Sequence, residues 1–200
     1  MKDSFLYLGI FAVGVLLALF MPIPETLLSD SISKGILYTL LFFVGIQIGL
    51  SRNLLGAVKS YGWKITMVPL ATTIGTFGAA ALISIALPHR SLTDCLSVGS
   101  GFAYYSLSSI IISEYRGAEL GTVALISNII REFYVLIFAP LMVRYFGNLS
   151  PICAGGATTM DTTLPVITKY SGSDFVVISL FHGMIIDFSA PFWVIFFATH

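Results

Sequence analysis

From Trp63 to Leu87 the chain carries a single charged side chain, Lys64, next to the start of the run. A helix of that length is about 37 Å long, enough to cross the roughly 30 Å hydrocarbon core of a bilayer. Four more stretches read the same way: Phe5–Met21, Gly35–Leu50, Gly117–Tyr145 and Asp174–Thr199. Of the 200 residues 56% are hydrophobic and 10% charged, and the mean hydropathy is +0.94. Soluble domains carry about 25% charge, and a soluble surface of this size needs ionised groups to stay dispersed. The sequence therefore specifies an all-α polytopic membrane protein with a single membrane domain over residues 1–200.

The same composition excludes several functions. Net charge is zero and there is no basic run, so nucleic acid finds no electrostatic foothold. Cys95 and Cys153 match neither a metal spacing nor a disulfide framework, and the three histidines form no metal motif. No metal and no cofactor is expected. Phe5–Met21 follows Lys2 as a signal peptide would, but no small-x-small cleavage site follows it, so it reads as a retained helix.

Two further stretches are long enough to cross but irregular. Cys95–Ser113 holds two glycines and six serines, and Pro151–Tyr170 contains "GGATTMDTTLP" at 155–165. About seven membrane segments result, two of them broken or re-entrant around 99–109 and 155–165. If all seven cross, Lys2, Arg52, Lys59, Lys64, Arg116 and Lys169 share one side, against Lys34, Arg90 and Arg144 on the other. That bias predicts a cytoplasmic N-terminus and an external C-terminus.

Polar groups inside the greasy segments are the candidate site. "SNIIREFY" puts Asn128, Arg131 and Glu132 in the middle of Gly117–Tyr145. An ionisable group there costs about 3 to 10 kcal/mol unless it finds partners or water. Arg131 and Glu132 point about 100° apart, while Asn128, three and four residues away, can neighbour both. The stripe must face protein or a cavity, either as a structural knot between helices or as a transport or proton-relay site.

In the second motif Gly155, Gly156 and Pro165 predict a helix break and Asp161 a second intramembrane acid. Broken backbone at membrane depth is tolerated only where it is buried in protein or lines a cavity. Thr158, Thr159, Thr162 and Thr163 can supply hydroxyls to the freed backbone, and a short extramembrane loop is the plain alternative. "GSGFAYYSLSS" (99–109) has the same grammar, with Gly99 and Gly101 as breakers. Tyr104 and Tyr105 could offer ring faces to an ammonium group, or simply pack. His182 reads as a hydrogen-bonded packing residue, and Asp187, about 140° around the helix from it, is not its direct partner. Gln47 is the one strongly polar side chain in 35–50, where Gly45 and Gly49 suggest close helix contact.

These motifs, in content and order, resemble the bacterial lysine exporter family: "LLFFVGIQIGLSRN" (40–53), "GFAYYSL" (101–107), "GAELGT" (117–122), "NIIRE" (128–132), "GGATTMDTTLP" (155–165) and "HG" (182–183). Ala103 replaces the usual glycine of the aromatic motif, and Asp187 stands where the pattern has an uncharged residue. The resemblance implies export of L-lysine and its toxic analogues across the inner membrane, in exchange for a cation, proton or sodium. It implies an intramembrane carboxylate at Glu132. Single-chain members usually carry three further spans ahead of this region, so the chain resembles the second half of a split exporter, with a small three-span partner subunit or a homo-oligomer expected. More distantly the family is similar to sodium–proton antiporters and bile-acid symporters, whose two broken helices cross.

On this reading Glu132 and Asp161 are the ammonium or proton sites. Arg131 is the candidate for lysine's carboxylate. Asn128, Tyr104, Tyr105, Thr159 and Thr162 are further ligands, with Gln47 and His182 secondary. Competing readings are a transporter of another small solute or ion, a non-transporting scaffold, and an intramembrane aspartyl protease built on Asp161 and Asp187. The last lacks the Gly-x-Gly-Asp signature, and "FHGM" offers no serine nucleophile beside His182.

Overall fold

A computed structural model describes residues 62–200 continuously, with ten scattered helical positions between Val13 and Ile46. Of the bounds of the first two expected spans, Phe5, Met21 and Leu50 lie outside the described residues, as does Gln47.

Among the described residues there are seven α-helices and no strand. A 3₁₀ turn, Gly62–Thr66, leads into α1, Met67–Ala86. Then follow α2 (Leu92–Gly99), α3 (Tyr105–Arg116), α4 (Ala118–Phe146), α5 (Ser150–Gly155), α6 (Leu164–Ser171) and α7 (Val176–Thr199). Three stretches are long and apolar enough to cross a membrane: Gly62–Ala86, Ala118–Phe146 and Ser173–Thr199. Ile74, Ile85, Ile130, Ile137 and Phe192 on these stretches point outward and are each more than half exposed. In water such a surface is a liability; in lipid it is the outer face of the fold.

Local chemistry sets the short helices. Ser91 caps α2 reciprocally with Asp94: the Asp94 amide donates to Ser91 Oγ at 3.0 Å, and the Ser91 amide donates to Asp94 Oδ2 at 3.2 Å. The helix stops after Gly99 because Phe102 (φ 47°) and Ala103 (φ 70°) take left-handed backbone. That conformation is costly for residues with a Cβ and persists only where the surroundings enforce it. In the second irregular segment Gly156 (φ 63°) ends α5. Pro165 does more than stop a helix. It sits in the first turn of α6, where its missing N–H is no loss, and starts that helix.

Neither irregular segment crosses, so the side-count that assumed seven full crossings needs correcting. Arg116, at the end of α3, donates to Asp94 Oδ1 (3.3 Å) at the start of α2 and to the Ala198 carbonyl (2.7 Å) at the end of α7. The α2–α3 segment therefore enters and leaves by one face of the bundle, where Arg90 also pairs with Glu119 at the head of α4. At the opposite face Ile152 of α5 and Ile167 of α6 pack with Val68 of α1, beside Phe175 and Ile178. The physical reason is length. The half-helices run six to twelve residues, about 9 to 18 Å, and their breaks turn the chain back.

The tips of these two hairpins meet. The Ala157 amide donates to the Phe102 carbonyl at 2.8 Å, and Phe102, Ala157, Ile186 and Ala190 form a buried cluster, with Phe77 and Tyr104 packed on it.

Candidate functional site

The middle of α4 faces both tips. Asn128, 3% exposed, accepts from the Ala103 amide (2.7 Å) and donates to the carbonyls of Ala124 (2.9 Å) and Val98 (3.4 Å). It thus satisfies backbone groups on each side of the first break. Gly101 leaves it room, since a Cβ there would lie 2.5 Å from Asn128 Nδ2.

One turn along, Arg131 serves the second break. Its Nε donates to the Ala154 carbonyl (2.7 Å), and Nη2 donates to the Cys153 carbonyl (3.4 Å) and Thr76 Oγ1 (3.3 Å). The guanidinium carbon also sits 5.7 Å from the centre of the Phe102 ring. A cation at the carbonyl end of α5 offsets the partial negative charge that a helix C-terminus presents. Two of the three polar groups in the stripe are therefore engaged in holding the breaks.

Glu132 completes the stripe. It is fully buried and is the central residue of the Ala118–Phe146 helix. Asp161, at the tip of the second hairpin, is exposed, and its Oδ1 accepts from the amide and hydroxyl of Thr162. Asp161 lies within electrostatic range of Glu132, Asp187 and Tyr104. Sequence reasoning left Asp187 out of the transport site because it stands where the resembled pattern has an uncharged residue, and paired it with Asp161 only in the protease reading.

Three of the four threonines give their hydroxyls to the broken backbone, whereas Thr162 gives its hydroxyl to the Asp161 carboxylate. Thr158 Oγ1 donates to the Gly155 carbonyl (2.9 Å), and Thr163 Oγ1 donates to the Thr158 carbonyl (3.0 Å). Thr159 Oγ1 bonds the Gly156 carbonyl (2.8 Å) and His182 Nδ1 (3.0 Å). His182, wholly buried, bonds Thr72 Oγ1 through Nε2 at 2.8 Å, and Thr72 reaches the Cys153 carbonyl at 3.3 Å. The histidine is a strut between α1, α7 and the second tip. Gly183 permits this approach, since a Cβ there would sit 2.7 Å from the Met160 backbone nitrogen. Thr72, Thr76 and Ser179, whose Oγ donates to the Thr159 carbonyl at 2.8 Å, are supports that the sequence did not single out. They are ordinary hydroxyls in greasy helices, and only the fold identifies their partners.

Tyr105 opens α3 and is half-buried, one position beyond Tyr104. Gly99 packs on α1, where a Cβ would meet the Ala80 side chain at 3.2 Å, and Gly155 faces Thr159. A cavity of about 560 Å³ between α1, α2 and α4 runs from Arg90 and Asp94 inward to Thr76, Asn128 and Arg131. Its walls, including Ala79, Ile83, Val98 and Val123, are apolar, with the arginine at the deep end. Among the described residues no cluster of three or more His, Cys, Asp or Glu side chains could hold a metal ion.

A family model described as lysine exporter LysO matches residues 8–198. A Haemophilus influenzae protein named "Putative lysine exporter" is 31% identical over 167 residues, 82% of this chain and 83% of that protein. The Escherichia coli protein named lysine exporter LysO is 30% identical over 170 residues, 84% of this chain and 55% of that protein. The chain thus spans little more than half the length of the E. coli relative. No solved structure matches.

Proposed function

Because the chain belongs to the lysine exporter LysO family, we propose that it exports L-lysine and lysine analogues from the cytoplasm in exchange for a cation, proton or sodium. The observation that carries this reading is Glu132: a wholly buried acid at the centre of a crossing helix, on the stripe that holds both hairpin tips, within electrostatic range of exposed Asp161. A cationic amino acid needs a carboxylate for its ammonium and a donor for its own carboxylate. Glu132 and Asp161 supply the first. Arg131, at the end of the cavity between α1, α2 and α4, supplies the second. Tyr104, Tyr105, Thr159 and Thr162 surround the tips as further ligands. The carboxylate takes a proton when the site is empty and releases it as the substrate cation arrives.

Two opposed hairpins meeting at mid-depth suit alternating access around a fixed site. With both segments re-entrant, Arg116 joins Lys34 and Arg90 on one side, and Arg144 joins Lys2, Arg52, Lys59, Lys64 and Lys169 on the other. The cationic bias is unchanged, and it supports an inner-membrane protein with a cytoplasmic N-terminus and an external C-terminus. A partner subunit of about three spans, or a homo-oligomer, is part of the same proposal.

Nearness of Asp161 to Asp187 is what an aspartyl protease would also require. Transport is preferred because both relatives carry exporter names and the Gly-x-Gly-Asp signature is missing. The deciding experiment loads membrane vesicles with lysine and follows its efflux. Glu132→Gln should lower the rate at least tenfold; an unchanged rate would refute the mechanism. Cleavage of a model transmembrane substrate that vanished in Asp161→Asn would establish the protease instead.

A further inference from the structure

The cavity between α1, α2 and α4 has two unlike ends. Its mouth is the turn after α1, where Pro88 and His89 are exposed, on the face where Arg116 ties the first hairpin to α7. From there it descends along α2, past Cys95 and Val98, to Thr76, Asn128 and Arg131. Arg131 is half-buried at that deep end. A guanidinium has five N–H donors, and bonds to Ala154, Cys153 and Thr76 engage three of them. Beyond Arg131 the way is shut. The Ala154 and Cys153 carbonyls come first, and behind them Val68, Ile152 and Ile167 pack as a buried cluster toward the opposite face.

Two contents suit an apolar-walled space of about 560 Å³ in a membrane protein: water with a passing solute, or a lipid acyl chain. The deep end distinguishes them. An acyl chain would lay hydrocarbon against Thr76, Asn128 and the guanidinium of Arg131, and a polar group facing hydrocarbon is costly. Water and an amino-acid carboxylate satisfy the same groups, and Ser127 adds a hydroxyl to the wall. Ala79, Ile83 and Val123, between the ends, give the methylene chain of lysine an apolar surface to slide along.

We propose that this cavity is the external vestibule of the transporter, the route by which lysine leaves Arg131 for the outside, and that the structure is the state open to that side and shut to the cytoplasm. This deepens the export reading and rests on it, and on the orientation that places Arg90 and Arg116 outside.

The test measures how fast a sulfonate-bearing, membrane-impermeant methanethiosulfonate modifies cysteines of the full chain, read position by position by mass spectrometry. Spheroplasts are compared with inside-out vesicles from the same cells. Native Cys95 lines the cavity and reads the path with no substitution, so the readout survives if a variant does not fold; Val98→Cys reads it deeper. Ile74, 70% exposed on α1 and outside the cavity, gives the comparison as Ile74→Cys. In spheroplasts Cys95 and Val98→Cys should react at least tenfold faster than Ile74→Cys, and external lysine should slow the Val98→Cys reaction at least threefold. In inside-out vesicles that advantage should vanish. Rates no faster than at Ile74→Cys on both sides mean a space filled by lipid or protein, and overturn the vestibule. Fast reaction confined to inside-out vesicles overturns its external side. Fast external reaction that lysine does not slow, in cells that export lysine, overturns its role as the lysine route. The same result in cells that export none overturns the export reading and leaves a water-filled path standing.

Discussion

Ala157 and Phe102 are joined backbone to backbone, amide to carbonyl, across 2.8 Å, although 54 residues of chain separate them. This bond links the tips of hairpins that enter from opposite faces, so each break is satisfied partly by the other. A Cβ on Gly156 would lie 2.1 Å from that Phe102 carbonyl oxygen, and the glycine's φ of 63° already disfavours any side chain.

Gly156→Ala should therefore destabilise the fold by roughly 3 kcal/mol or more, through strain and the forced separation of the tips. Gly147→Ala is the control. Its φ is also positive, at 86°, but nothing lies within 4 Å of the added carbon, so only the backbone penalty of about 1–2 kcal/mol applies. Thermal unfolding of the two purified variants in one detergent checks the order.

Asn128→Leu keeps the size of the side chain but removes the acceptor for the Ala103 amide and the donor to the Val98 and Ala124 carbonyls. Each buried group left unsatisfied costs about 1–3 kcal/mol. Asn128→Asp keeps the acceptor for Ala103, so it should fall between wild type and the leucine variant in the same melting assay.

Arg131→Lys preserves charge but not the planar fork that spans Ala154, Cys153 and Thr76. Lysine efflux from loaded vesicles should drop at least tenfold while the protein still reaches the membrane. Efflux within twofold of wild type would show that the fork is dispensable.

Thr72→Val leaves His182 Nε2 and the Cys153 carbonyl without the hydroxyl between them, at a cost of roughly 1–3 kcal/mol. By contrast, Arg90→Ala breaks an ion pair whose glutamate is 80% exposed, and such a pair contributes about 1 kcal/mol at most. Melting curves should separate the two clearly. Equal losses would mean that the histidine strut carries no weight.

Much of the site was legible because its chemistry is local. Glycines and threonines around Asp161 announce a break and its remedies within eleven residues, and the structure has both. "GSGFAYYSLSS" follows the same grammar, although the left-handed turn falls on Phe102 and Ala103 where glycines were the expected breakers. Asn128 and Arg131 were legible as buried polar groups, but their partners were not. Val98, Ala103 and Ala154 offer only backbone atoms, which leave no mark in a sequence. The doubling-back of both segments was equally hidden, because a broken crossing helix and a re-entrant hairpin share one composition. Arg116 reaching Asp94 and Ala198 distinguishes them. Asp187 entered the sequence reading only as the partner of Asp161 in the protease alternative; its burial on α7, beside residues that pack on the tip contact, shows only in the fold.

The two hairpins are built on one plan, a short helix, a turned tip and a second short helix, and they approach the same depth from opposite faces. Such a body has no built-in arrow. Whatever opens toward one compartment has a counterpart toward the other, so the architecture favours neither loading nor unloading from a given side. On the proposed exchange, the direction of lysine movement belongs to the membrane's ion gradient, and an inverted gradient would run the same machinery as an importer.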